Sequence, residues 1–269
     1  MKMMHQYSAD LELKTQTLVD TQRRADHLLN QMMPPAMAAV LKAGHNVPPK
    51  LFTSATVLFT DIVRFTAMCS QSTPMDVVTL LNALFTNFDA IVTKHDAYKV
   101  ETISDAYMIA SGIPTENGLK HVHELAAIGL AIVDTVANTV VSHMPPEYRL
   151  RVRVGMCTGP VATGVIGLVA PRFCLFGDTV NTASRMESTG APMRVHMSGS
   201  SAVELLASNE WICEQRGNVA VKGKDVMKTY WLIGPIDTVK SRCYPVAVQR
   251  TVGSWAQRGT AVRPGPHYQ

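Results

Sequence analysis

The run Lys99-Val100-Glu101-Thr102-Ile103-Ser104-Asp105-Ala106-Tyr107-Met108-Ile109 constrains this chain most, because it reads as two short apolar strands joined by a tight Ser-Asp turn. Glu101 lies inside the first strand and Asp105 at the turn. A carboxylate on a turn between strands is held rigidly and still reaches solvent, as a metal ligand must. A second segment mirrors it: Thr56-Val57-Leu58-Phe59-Thr60 is a β-branched and aromatic run ending in Asp61, followed by Ile62-Val63-Arg64-Phe65-Thr66. Either aspartate alone reads as a turn former or helix cap. Two aspartates at the ends of neighbouring strands make a site for hard divalent cations, which prefer oxygen ligands.

A chain of 269 residues, 46% hydrophobic and 17% charged, is expected to fold around a substantial core. Its formal charge of +4 does not predict a nucleic-acid groove. From Thr238 onward there are five basic residues and no acid, which leaves residues 1–237 with 20 basic and 21 acidic side chains. The excess belongs to a tail, read as a basic, disordered segment over 238–269. Five cysteines (Cys69, Cys157, Cys174, Cys213, Cys243) show neither a C-x-x-C pair nor a disulfide framework, so a reducing compartment is expected. No signal-peptide pattern and no stretch of about 20 apolar residues is read, so the chain is expected to be soluble as given.

Met4, Leu11, Leu18, Ala25 and Met32 recur at spacing seven, which predicts a helix with a weak parallel coiled-coil seam. An amphipathic helix packed on its own domain is the alternative. Pro34-Pro35 breaks it, a short helix follows through Leu41, and Gly44 to Pro49 reads as a linker. Residues 1–46 are thus a helical segment, and a compact domain occupies 47–237. Within that domain come the Asp61 strand, a helix opened by Pro74, the hairpin at Asp105 and a long helix from about Leu119 to Ser142. A strand at Arg149–Cys157, a Gly-rich loop and a short strand at Arg172–Phe176 follow. Next are a helix opened by Gly177-Asp178, a strand at Arg194–Met197 and a helix at Ser200–Ser208. The last strands are expected near Trp211–Arg216, Val219–Val221 and Thr229–Ile233. Strand, helix, two strands, helix, strand is a ferredoxin-like βαββαβ order in an α+β layer.

Asn181 and Arg185 stand four residues apart on one helical face, where an amide and a planar guanidinium fork suit a developing anion at phosphorus. Read alone, the segment equally fits a cap at Asp178 and a solvated arginine. Lys222 and Lys224 sit on a tight turn, a pattern shared by phosphate contacts and exposed hairpins. Neither a P-loop nor a G-x-G-x-x-G motif is present, and the histidines show no metal-ligand spacing.

Phe59-Thr60-Asp61-Ile62-Val63-x-Phe65-Thr66, Lys99 to Tyr107 and Arg172-x-Cys174-Leu175-Phe176-Gly177-Asp178 through Ser188 closely resemble the class III nucleotidyl cyclases, above all the catalytic domain of receptor-type guanylyl cyclases. The likeness covers about Leu51 to Gly234, and the helix ending in Met32-Met33-Pro34 looks like the dimerising segment that precedes that domain. The resemblance implies conversion of GTP to 3′,5′-cyclic GMP and pyrophosphate. Asp61, Asp105 and the Ile62 carbonyl would hold two Mg²⁺ or Mn²⁺ ions; Asn181 would orient the ribose and Arg185 would stabilise charge at the α-phosphate. Lys222 and the backbone amides near Phe65 and Thr66 would meet the terminal phosphates. Glu101 and Cys174 match the guanine-reading pair, where adenine-specific relatives carry Lys and Asp. The site would lie between two chains, in a homodimer or a heterodimer with a related chain. The parent protein would be a plasma-membrane receptor bearing this region on its cytoplasmic side.

Four positions depart from the family pattern. Arg64, Ser104 and Asp225 stand where the family has Gly, and Cys157 where it usually has His. If the Ser104-Asp105 turn is type II′, a non-glycine residue at positive φ costs roughly 1 kcal/mol. Two further readings stay open: an adenylate or dual-substrate cyclase, and a catalytically weak dimerisation or nucleotide-sensing module.

Overall fold

A computed structural model describes residues 2–167 and 171–241. Helix α1 (Lys2–Met32) is followed by α2 (Pro35–Lys42), which the Pro34-Pro35 break separates from it. Leu11, Leu18, Leu28 and Met32 of α1 are 59–70% exposed, so the apolar seam does not pack on the domain. The domain begins with β1 (Lys50–Ile62), a short α3 (Phe65–Cys69), α4 (Pro74–Val92), β2 (Tyr98–Ile103), β3 (Ala106–Ser111), α5 (Lys120–Ala137) and β4 (Val152–Ile166). It continues through β5 (Arg172–Phe176), α6 (Asp178–Ser188), β6 (Val195–Ser198), α7 (Gly199–Ala207), β7 (Trp211–Ala220), β8 (Val226–Pro235) and α8 (Ile236–Ser241). The first four residues of the expected tail are therefore helical in α8, and 242–269 lie outside the described residues.

Eight strands form one sheet in the order β2-β3-β1-β4-β6-β8-β7, with β5 paired to β4. The β2-β3-β1-β4 portion, with β1 antiparallel to both neighbours, is the ferredoxin-like βαββαβ arrangement expected from the sequence. α4 starts where Thr73 accepts from the Asp76 N–H while the Asp76 carboxylate accepts from the Thr73 N–H, with Pro74 in the first turn. By length and composition α4 could cross a membrane, contrary to the sequence expectation. Leu80, Leu84, Phe88 and Val92, at four-residue spacing, are buried in the main core with α5, which accounts for its apolar face.

Two expectations fail in the second half. The Gly-rich stretch after Cys157 is not a loop: β4 runs unbroken to Ile166, pairing first with β1 and then with β5. Its glycines serve packing. A Cβ at Gly155 would lie 1.9 Å from the Glu187 amide nitrogen, so α6 rests directly on the β4 backbone. Likewise, the two expected strands at 211–216 and 219–221 are one strand, β7, whose register slips at Ile212/Cys213 and at Gln215/Gly217. α5 ends at Ala137, before the β-branched Thr139-Val140-Val141 run rather than at Ser142.

Behind α6, the His196 imidazole is fully buried and its Nδ1 donates to the Met186 carbonyl at 2.7 Å. Burial pushes its pKa down to about 4; the Met186 bond opposes that and the Arg216 charge adds to it. An unfolded histidine titrates near 6.5, so between those pH values the unfolded chain binds a proton that the folded chain does not. Stability is therefore lost as pH falls from about 6.5 toward 4, by up to about 3 kcal/mol from this group. Denaturant unfolding at pH 7 and pH 4.5 checks this, and His196→Gln should flatten the difference. Gly155→Ala should displace α6 and destabilise the fold by about 2–3 kcal/mol, the range for overpacked interiors, read from the same unfolding curves.

Candidate active site

β1 ends in Asp61 and Ile62, and pairing Thr60 with Tyr107 sets the β2–β3 turn beside that end. Asp105 occupies the turn, and its Oδ2 accepts from the Ile62 N–H at 3.2 Å. Of the two turn residues only Ser104 has positive φ, 58°, the pattern of a type II′ turn. Burial, then the neighbouring Asp61 charge and the hydrogen bond between the two carboxyls, push the Asp105 carboxyl up to about 6. A carboxyl made harder to ionise by a neighbouring carboxylate is relieved by a bound cation. Among the described residues no group of three or more His, Cys, Asp or Glu side chains converges as a metal cage. Mg²⁺ suits such a place, since it is usually held by one or two carboxylates, with water and substrate phosphate completing its shell.

Read from the sequence alone, Arg153 has a place on a strand but no role in the site. It stands opposite Asp61 in the β1–β4 register, and its Nη2 donates to Asp61 Oδ2 at 2.5 Å while Nε donates to Glu187 Oε1 at 2.7 Å. Burial pushes the Glu187 carboxyl up, and Arg153 opposes that shift. The alternation Arg149, Arg151, Arg153 was visible in the sequence, but only strand pairing shows which of them meets Asp61.

The remaining residues fall in three places. Glu101 on β2 and Cys174 on β5 lie near one another; burial first and the Glu101 charge second push the Cys174 thiol up. Asn181 is exposed and Arg185 partly exposed on α6. Among the described residues, neither side chain has a hydrogen-bond or ion-pair partner, and nothing joins them to Asp61 or Asp105. Lys222 is exposed on the β7–β8 turn. Its neighbour Lys224, not Lys222, reaches the start of α6 and pairs with Asp178. Arg64 takes a left-handed conformation, φ 60°, ahead of α3. Phe65 packs against the core and Thr66 is exposed. Cys157 is buried, and Asp225 is exposed beside the lysine turn.

Known proteins share this sequence pattern and fold. The family described as the Adenylate and Guanylate cyclase catalytic domain matches residues 47–234. Retinal guanylyl cyclase 2 of Rattus norvegicus is 46% identical over 269 residues, covering 98% of this chain and 24% of that protein. Atrial natriuretic peptide receptor 2 of Homo sapiens is 49% identical over 235 residues, covering 86% of this chain and 22% of the receptor. This chain thus spans about a quarter of the length of those relatives. Among solved structures, the guanylate cyclase domain of RhGC from Catenaria anguillulae, in complex with GTP, superposes with a TM-score of 0.65 at 35% identity, covering 69% of this chain and 99% of that domain. The chain therefore belongs to the family of adenylate and guanylate cyclase catalytic domains.

Proposed function

We propose that this chain is the catalytic region of a guanylate cyclase, converting GTP to 3′,5′-cyclic GMP and pyrophosphate. The observation that carries the reading is the meeting of Asp61 and Asp105 at the ends of neighbouring strands. With the Ile62 carbonyl they would hold two Mg²⁺ or Mn²⁺ ions, which would activate the ribose 3′-hydroxyl and neutralise phosphate charge.

The chain's own residues supply the rest. Asn181 holds the ribose, and Arg185 donates to the charge that grows at the α-phosphate as the 3′-oxygen attacks in line and pyrophosphate leaves. Lys222 and the amides at Phe65 and Thr66 meet the terminal phosphates. Glu101 accepts from guanine N1–H and the 2-amino group, with the Cys174 thiol near O6. A lysine at position 101 would leave those guanine donors unpaired, which is why this pair selects GTP over ATP. The nearness of Glu101 and Cys174 supports that choice.

Two copies share each site in this reading, one giving Asp61 and Asp105, the other Asn181, Arg185 and the base-reading pair. The unpartnered Asn181 and Arg185 support it, as do Ile103, Ile166, Phe176 and Val226, which are 48–62% exposed at the ends of β2, β4, β5 and β8. Residues 1–46 act as the dimerising segment, the exposed seam of α1 forming a parallel coiled coil with its partner. Residues 47–237 are the catalytic domain. The parent protein is a receptor with this region on the cytoplasmic side, as the likeness to a natriuretic peptide receptor suggests.

Purified protein assayed with GTP and ATP separately in Mn²⁺ should form cyclic GMP, with specific activity rising as protein concentration drives dimerisation. Asp61→Asn and Arg185→Ala should each lose about a hundredfold or more in activity. Mixed together, the two variants should recover up to about one quarter of native activity, because half the dimers then carry one intact site of two. No recovery on mixing, with dimers shown by sedimentation, would sink the shared site. Glu101→Lys with Cys174→Asp should move the GTP/ATP rate ratio by at least about a hundredfold toward ATP. An unchanged ratio would remove the base-reading role.

A further inference from the structure

Beside the Asp61–Phe65 loop lies a cavity of about 470 Å³ that the proposed mechanism does not use. Arg64, Arg149 and Arg151 line it, together with Gln71, Tyr148 and one acid, Glu147. All three arginines are exposed around this open depression, and like charges gathered in one place ordinarily draw carboxylates as counterions. Here the described residues give none of the three an ion pair. Arg149 instead donates through Nη1 to the Pro146 carbonyl at 2.5 Å and to the Tyr148 carbonyl at 3.1 Å. That fixes its plane and leaves other N–H groups of the fork unused. The Val63 N–H donates to the Arg151 carbonyl at 2.9 Å, tying the cavity wall to the loop that leaves Asp61 and Ile62. Arg64 holds a left-handed conformation that glycine would adopt without steric cost, so a charged side chain is kept there against backbone preference.

We propose that this cavity is a second anion site, separate from the Asp61–Asp105 pair, which binds inorganic pyrophosphate through Arg64, Arg149 and Arg151. Guanidinium forks match the paired oxygens of phosphoryl groups, and several of them suit an anion with charge on two phosphorus centres. The existence of the site rests on the arginine geometry; only its supply of pyrophosphate, released next door, rests on the cyclase reading. The site would hold leaving pyrophosphate beside the loop after each turnover.

Calorimetric titration of pyrophosphate into the full chain in EDTA tests this without metal or turnover. Saturable binding at one site per chain is expected, with a dissociation constant below about 1 mM. Arg149→Gln with Arg151→Gln should weaken it at least tenfold. Arg64→Gly should also weaken it, and that variant relieves backbone strain, so its loss cannot be ascribed to unfolding. Asp61→Asn should leave binding within twofold. Orthophosphate, with less charge and fewer oxygens, should bind more weakly. Three results would overturn the proposal: no saturable binding, loss in Asp61→Asn with retention in the arginine variants, or ATP binding tighter than pyrophosphate at the same arginines. A chain that binds pyrophosphate in EDTA yet makes no cyclic GMP would sink the cyclase reading and leave this site standing.

Discussion

The close approach of α6 to β4 is the constraint on which the candidate site depends. Glycine at 155 lets the helix backbone touch the strand, and this brings Glu187 to within 2.7 Å of Arg153. Arg153 in turn reaches Asp61 on the neighbouring strand. A side chain at position 155 would lift α6 and open the link between the helix and the Asp61 end of β1. The same strand pairs with β1, β5 and β6, so one element fixes the Asp61 end, the Cys174 strand and the helix bearing Asn181 and Arg185.

Electrostatics at Asp61 run in opposite directions at once. Asp105 meets a like charge in a half-buried place, and burial outweighs the two backbone hydrogen bonds that favour its ionised form. Arg153 serves both Asp61 and Glu187, and the two acids together outweigh the cost of burying its charge, so its pKa rises. One guanidinium between two carboxylates, with a third carboxyl close by, leaves net negative charge at the mouth of the sheet. A divalent cation would remove that excess.

Much of this was legible in the sequence because it depends on local chemistry. The Thr102–Tyr107 stretch announced a hairpin by its alternation and two-residue turn, and Pro74 announced a helix start. The βαββαβ order followed from those boundaries. What failed depended on partners distant in sequence. Gly159 and Gly164 looked like loop residues although both lie in β4, and at Gly159 the need for small size comes from Thr179 of α6, 2.7 Å from a would-be Cβ, not from its sequence neighbours. The bulges in β7 depend on pairing with β8. Arg153 could not be picked from three alternating arginines without the register that sets it opposite Asp61. Likewise Lys224, rather than Lys222, meets α6, a choice made by the turn geometry between β7 and β8.

Helix α6 also explains why one chain would hold every group and still lack a site. Thr179, Thr182, Ala183, Met186 and Glu187 form its buried face, and Glu187 is held there by the chain's own Arg153, which also reaches Asp61. Asn181 and Arg185, one turn apart, fall on the other side of the helix. Rotating the helix to aim them at the chain's own aspartates would break the Glu187 link and drive the Gly155 contact apart. The donors of one copy would therefore, on the proposed function, serve the carboxylates of another. On the proposed function a two-fold arrangement satisfies both at once, because each copy offers the same outward amide and guanidinium and the same inward-held pair of aspartates. The exposed seam of α1 would then act on catalysis without touching substrate, by setting how often two such faces meet.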